Sequence, residues 1–125
     1  MLKHDVESLD RRCKKIQQLD MIRFAGVINK DGDVIAGGFK SGVKPFEDDK
    51  LRLRKFFRFA TLESIGKEYD ENLGSMNYLA ARRDKLIFIS FPFPISDIIL
   101  LISAEPKAEI EKLATVASNV FAGIK

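Results

Sequence analysis

The chain is poor in the residues that carry most site chemistry. Its 125 residues include one cysteine, Cys13, and one histidine, His4. A lone cysteine excludes an intramolecular disulfide and fits a reducing, cytoplasmic setting. With so few ligands of this kind, no zinc site of the usual type can be assembled. No Cys-His or Ser-His pair has a third member to orient it. His4 stands near a terminus among polar neighbours, which reads as a solvated side chain rather than a ligand or a catalyst. Long apolar runs are also missing: the longest, residues 98–102, is far short of a membrane span. The opening MLKHDVESLDRR carries acids and no apolar core, so no secretory signal is expected. No repeat, linker or low-complexity tract interrupts the chain. These absences point away from an enzyme, a cofactor and a metal.

What is present is ordinary globular composition, 46% apolar and 31% charged. One domain over residues 1–125 is expected, long enough to bury a core. The net charge of +3 permits contact with nucleic acid without arguing for it.

Leu2, Val6, Leu9, Cys13 and Ile16 recur at helical spacing and predict a helix over residues 2–19. Cys13 lies in its seam and reads as a small buried apolar residue. Residues 21–29 predict a strand with Ile22, Phe24, Gly26 and Ile28 on one face and Arg23, Ala25 and Val27 on the other. Asp31-Gly32 predicts a type I′ hairpin turn, with positive φ at both central residues. Residues 33–38 return as a second strand ended by Gly37-Gly38, and residues 40–47 form a loop. Glu47, Asp48 and Asp49 open a helix that runs to about Tyr69, with acids where the helix dipole favours them. Leu51, Leu53, Phe56, Phe57, Phe59, Ala60, Leu62 and Ile65 spread over most of its circumference, whereas a surface helix needs one stripe of about 100°. It is therefore expected to bury two faces, one on its own sheet and one on something else.

Three further strands follow at residues 76–82, 86–91 and 98–103. The last two are apolar except at Ser90, as central strands are. The first is interrupted by Asn77 and Arg82 and suits an edge. A final helix is expected from near Pro106, with Ser103 or Glu105 as its cap. Its apolar stripe is Ile110, Leu113, Ala114, Ala117, Val120, Phe121 and Ile124.

The order is helix, strand, strand, helix, strand, strand, strand, helix. With IRFAGVINKDGDVIAGG at its start and LIFISFP and DIILLISAEP later, the chain resembles the roadblock family of dynein light chains and their bacterial and archaeal relatives. The FAGVIN, AGG, ISFP and DIILLISAEP blocks also resemble a short archaeal family of roadblock type. The resemblance implies an α/β sandwich: five antiparallel strands, the long middle helix on one face and the terminal helices on the other. It further implies a non-catalytic homodimer, acting as a scaffold or a regulator of a small GTPase. Pairing in that family runs through the middle helix and the following strand, which places the seam at Leu53, Phe56, Phe57, Ala60, Met76 and Tyr78.

Other motifs have plainer readings. Asn29, Asp31, Asp33 and Glu47 lack the spacing of a calcium loop and suit turn chemistry. Residues 37–42 superficially resemble a phosphate loop, but Lys40-Ser41 follow the wrong glycine. Phe91, Pro92, Phe93 and Pro94 suit a turn packed on the core better than a pocket. Lys50, Arg52, Arg54, Lys55 and Arg58, interleaved with phenylalanines, suit nucleic acid, an anionic surface or an acidic partner. They equally suit the rim of a buried seam, and interfaces that combine aromatic cores with arginine favour the rim. A small-ligand sensory domain is the main alternative function. It requires an apolar pocket of several hundred cubic ångströms.

Overall fold

The computed structural model describes residues 3–125, with side chains from Asp5 onward. The readings of Leu2 and His4 lie outside the described residues and side chains. Helix α1 (Lys3–Gln17) leads into strands β1 (Ile22–Asn29) and β2 (Val34–Phe39). Helix α2 (Lys50–Ile65) and a short helix α3 (Asp70–Leu73) follow, then β3 (Leu79–Arg82) and β4 (Ile87–Phe93). A 3-10 turn at Pro94–Ser96 precedes β5 (Ile98–Ala104) and helix α4 (Ile110–Val120). The five strands form one antiparallel sheet in the order β2-β1-β5-β4-β3. Helices α1 and α4 cover one face, over Ala25, Val27, Leu100 and Ile102. Helix α2 covers the other, over Phe24, Ile28, Phe88 and Leu101. As expected, β4 and β5 are interior and β3 is an edge strand.

Strand β1 departs from simple alternation at its start. Ile22 joins Ala25 and Val27 beneath α1 rather than Phe24 beneath α2. The β1–β5 register shifts between Ile22 and Phe24, and such an irregularity moves the preceding side chain to the opposite face.

Helix α1 packs close on β2 because Gly37 presents no side chain to it. Gly37 has φ +72°, and a Cβ there would lie 2.3 Å from the Ala25 carbonyl oxygen and 2.7 Å from Cys13 Cβ. Polar clamps fix the docking. The Gly37 N–H donates to Asp10 Oδ1 at 2.9 Å, and Gln17 Nε2 donates to the carbonyls of Ala25 and Gly38. The Gly37 N–H, with Lys14 beside it, holds the Asp10 carboxyl below its ordinary value. Burial pushes the Cys13 thiol up to about 12, so at neutral pH it is a protonated core residue. Lys40, the cation of the apparent phosphate loop, donates to the Leu19 carbonyl at 3.0 Å and closes the end of α1.

The hairpin turn is not type I′. Of its residues only Gly32 has positive φ, at +87°. Asn29 organises the loop instead: its Oδ1 accepts from the N–H groups of Asp31 and Asp33, both at 3.0 Å, and its carbonyl accepts from Gly32 N at 3.1 Å. The side chain supplies the acceptor that a second left-handed residue would otherwise have helped to present.

Helix α4 also starts later than expected. Strand β5 continues through Ser103, and Pro106 sits in a turn closed by Ala108 N–H to the Glu105 carbonyl at 3.0 Å. Glu109 is the N-terminal cap residue, so neither Ser103 nor Glu105 caps. The Pro106 carbonyl instead accepts from the Arg82 guanidinium, and the Tyr78 hydroxyl meets Glu111, pinning β3 and its approach to the α4 side.

Candidate interaction surface

Helix α2 begins where Asp49 accepts from the N–H groups of Leu51 and Arg52, at 2.9 and 3.3 Å. This satisfies two donors that the first turn leaves open. Its lateral position is set by the β1–β2 turn: a Cβ on Gly32 would lie 2.5 Å from the Arg54 carbonyl and 3.1 Å from Arg58 Cβ. Asp33 adds an ion pair to Arg54 Nε at 3.0 Å.

With 3.6 residues per turn, the helix sorts its side chains onto two opposite faces. The inner face carries Phe57, Ala60, Thr61 and Ser64, all buried on the sheet. Phe57 packs on Phe24 with ring centres 5.2 Å apart, and Phe56 meets Phe88 edge-on at 5.2 Å. Two polar groups share this face and both are satisfied. Thr61 donates to the Phe57 carbonyl at 2.9 Å, and Ser64 shares a 2.6 Å hydrogen bond with Ser90 of β4. The outer face carries Leu51, Phe59 and Leu62, which are 73%, 56% and 52% exposed, with Lys55 and Arg58 between them.

The structure thus separates the residues named from sequence. Phe57 and Ala60 lie in the core under the helix, and Leu53 and Phe56 are half-buried beside them. Met76 is exposed ahead of β3, while Tyr78 is half-buried against Phe91. Among the cations, Arg52 pairs with Glu47 at 2.9 Å and Arg54 with Asp33. Lys50, Lys55 and Arg58 have no ion-pair partner among the described residues. Asn29, Asp33 and Glu47 are therefore committed to turn and ion-pair contacts. No group of three or more histidine, cysteine or acidic side chains among the described residues is arranged to hold a metal ion. No helix among them is long and apolar enough to cross a membrane. Phe91, Pro92 and Phe93 belong to strand β4 rather than to a turn, which starts only at Pro94, and Phe93 stacks on Phe121 at 5.8 Å.

A cleft of the size that the small-ligand alternative requires, its lining not anticipated from sequence, lies beside the N-terminal half of α2. It encloses about 430 Å³ between the helix, the sheet and the loop that carries Phe46.

A five-stranded antiparallel sheet with the middle helix on one face and the terminal helices on the other defines a roadblock-fold protein. Solved structures agree. The chain is similar to a Roadblock/LC7 domain from Streptomyces avermitilis, at 17% identity and TM-score 0.64 over 90% of each chain. It is similar to the gliding protein MglB from Thermus thermophilus, at 13% identity and TM-score 0.73 over 99% of this chain and 93% of that one. It is similar also to MglC from Myxococcus xanthus, at 14% identity and TM-score 0.62 over 90% and 96%. At these identities the likeness concerns the fold. No curated protein matches the sequence. Residues 1–121 match the family of unknown function DUF6659, and the chain belongs to that family.

Proposed function

We propose that residues 1–125 act as one non-catalytic, cytoplasmic protein-interaction domain. It pairs with a second copy through the outer face of α2 and the open edge of β3. The pair in turn binds another protein, and a small GTPase is the class that the roadblock resemblance suggests. One observation carries this reading: Leu51, Phe59 and Leu62 stand exposed on one face of a single helix. Clustered large apolar side chains on a soluble surface mark a contact site, and the interleaved Lys55 and Arg58 suit its rim. The open edge of β3 offers main-chain groups to a partner as well. Met76 belongs at the margin of this seam, while Leu53, Phe56, Phe57 and Ala60 hold the helix from below.

Pairing is tested by light scattering at micromolar concentration. The wild-type chain is expected to be a dimer, and Phe59→Glu and Leu62→Glu to be folded monomers with unchanged circular dichroism. A wild-type monomer across that range removes the pairing. Binding to nucleic acid that collapses with added salt would replace the rim reading of Lys50, Lys55 and Arg58 by phosphate contact.

A further inference from the structure

We propose that the cleft beside α2 is a binding site for a small amphipathic carboxylate, independent of the pairing surface. Its floor and walls are apolar: Phe24, Phe39, Phe88 and Leu101 from the sheet, Leu53 and Phe56 from the helix. Its volume of about 430 Å³ lies in the range that small ligands occupy.

The polar end holds three arginines against one carboxylate, Glu47. Arg23 lines the cleft with its side chain only 11% exposed. A guanidinium has five N–H donors, and Arg23 uses two groups on the protein. Nη2 donates to the Lys44 carbonyl at 2.9 Å, and Nη1 reaches Glu105 Oε1 at 3.5 Å. Phe46 covers the guanidinium face, 3.8 Å from ring centre to Cζ. A carbonyl, a carboxylate and an aromatic ring thus hold Arg23 in place, and it sets a fixed positive charge at one end of the cleft. Arg52 and Arg83 also line the cleft. Arg52 is engaged by Glu47 at 2.9 Å, while Arg83 has no ion-pair partner among the described residues.

A flat carboxylate matches the bidentate geometry of arginine, and an alkyl or aryl body matches the phenylalanine floor. A sugar or a nucleotide base would leave its polar edges unpaired against that floor. Leu62 lies across α2 from Leu53, so occupancy does not require pairing through it.

The test is an amide NMR titration of the full chain with decanoate, decanol and decyltrimethylammonium. Decanoate is expected to shift Arg23, Phe46, Phe88 and Leu101, with decanol at least about tenfold weaker and the cation silent. Arg83→Glu, at an exposed position, is expected to weaken decanoate about tenfold with the fold unchanged. Ser103→Phe, which fills the cleft, is expected to abolish binding. Leu62→Glu is expected to bind decanoate like wild type even where it has become monomeric, which separates this site from the pairing surface. Equal affinity for all three head groups overturns the proposal, as does no response to decanoate. Binding to phosphatidylglycerol vesicles without binding to monomeric decanoate also overturns it, in favour of a lipid surface.

Discussion

Ser64 and Ser90 form the contact on which the seating of α2 is most readily tested. Both are fully buried, and their hydrogen bond joins the helix to β4. Either alanine substitution leaves a buried hydroxyl without its partner, which costs about 1–3 kcal/mol. Removing both leaves an apolar contact of similar shape, so the double variant is expected to lose less than the sum of the singles. Urea unfolding of the four proteins measures the coupling, and strict additivity would show that the bond adds nothing. Asp10 gives a pH-dependent counterpart. Its carboxyl sits below the ordinary 3.8 because the Gly37 N–H and Lys14 favour the charged form. A depressed carboxyl stabilises the fold above its unfolded value, and that contribution is lost as pH falls through the folded value. Asp10→Asn keeps the acceptor and removes the charge. At pH 7 it is expected to cost about 0.5 kcal/mol, since solvent screens so exposed a carboxylate. The gap from wild type should close as the pH is lowered below about 3.8. A gap independent of pH would place the effect in shape rather than charge.

At the scale of elements, the β1–β2 hairpin and α2 behave as one unit. Gly32 combines φ +87° with a backbone approach that leaves no room for a Cβ beside the Arg54 carbonyl. Gly32→Ala is expected to destabilise by at least about 2 kcal/mol, measured by urea unfolding, and to perturb amide shifts along the first half of α2. A loss confined to the hairpin would show that the turn does not set the helix position. Most of the elements themselves could be read from periodicity, because strands and amphipathic helices impose spacings of 2 and 3.6. The faces of α2 could not. Eight apolar residues around its circumference implied two contact surfaces without saying which met the sheet. The inner face includes Thr61 and Ser64, whose hydroxyls are satisfied by the Phe57 carbonyl and Ser90. Apolarity alone therefore does not distinguish it from the face of Leu51, Phe59 and Leu62. The displaced Ile22 depends on a register shift between two strands far apart in sequence. The turn hid for a local reason: Asp-Gly suits type I′, but Asn29 two residues earlier supplies an acceptor that competes. The cleft at Arg23 joins residues from β1, β2, α2, β4, β5 and two loops, a juxtaposition that no spacing along the chain encodes.

The whole molecule is built asymmetrically. One face of the sheet is covered by α1 and α4 together, the other by α2 alone, and α2 leaves its outer side apolar. A closed two-fold pairing buries the same patch on both copies, so one helix face can satisfy itself without a second specialised surface. On the proposed pairing, stability depends on concentration. When folded dimer converts to two unfolded chains, mass action raises the unfolding midpoint with protein concentration. For a pair of chains of this length, each tenfold increase is expected to raise it by about 2–3 °C. Differential scanning calorimetry over two decades of concentration is the direct measurement. Phe59→Glu is expected to flatten the dependence while leaving a cooperative transition, because Phe59 makes no core contact that folding of a single chain needs. A midpoint that stays constant for the wild type would mean that the outer face of α2 is reserved for a different protein. The exposed Leu51, Phe59 and Leu62 would then be the place to capture it.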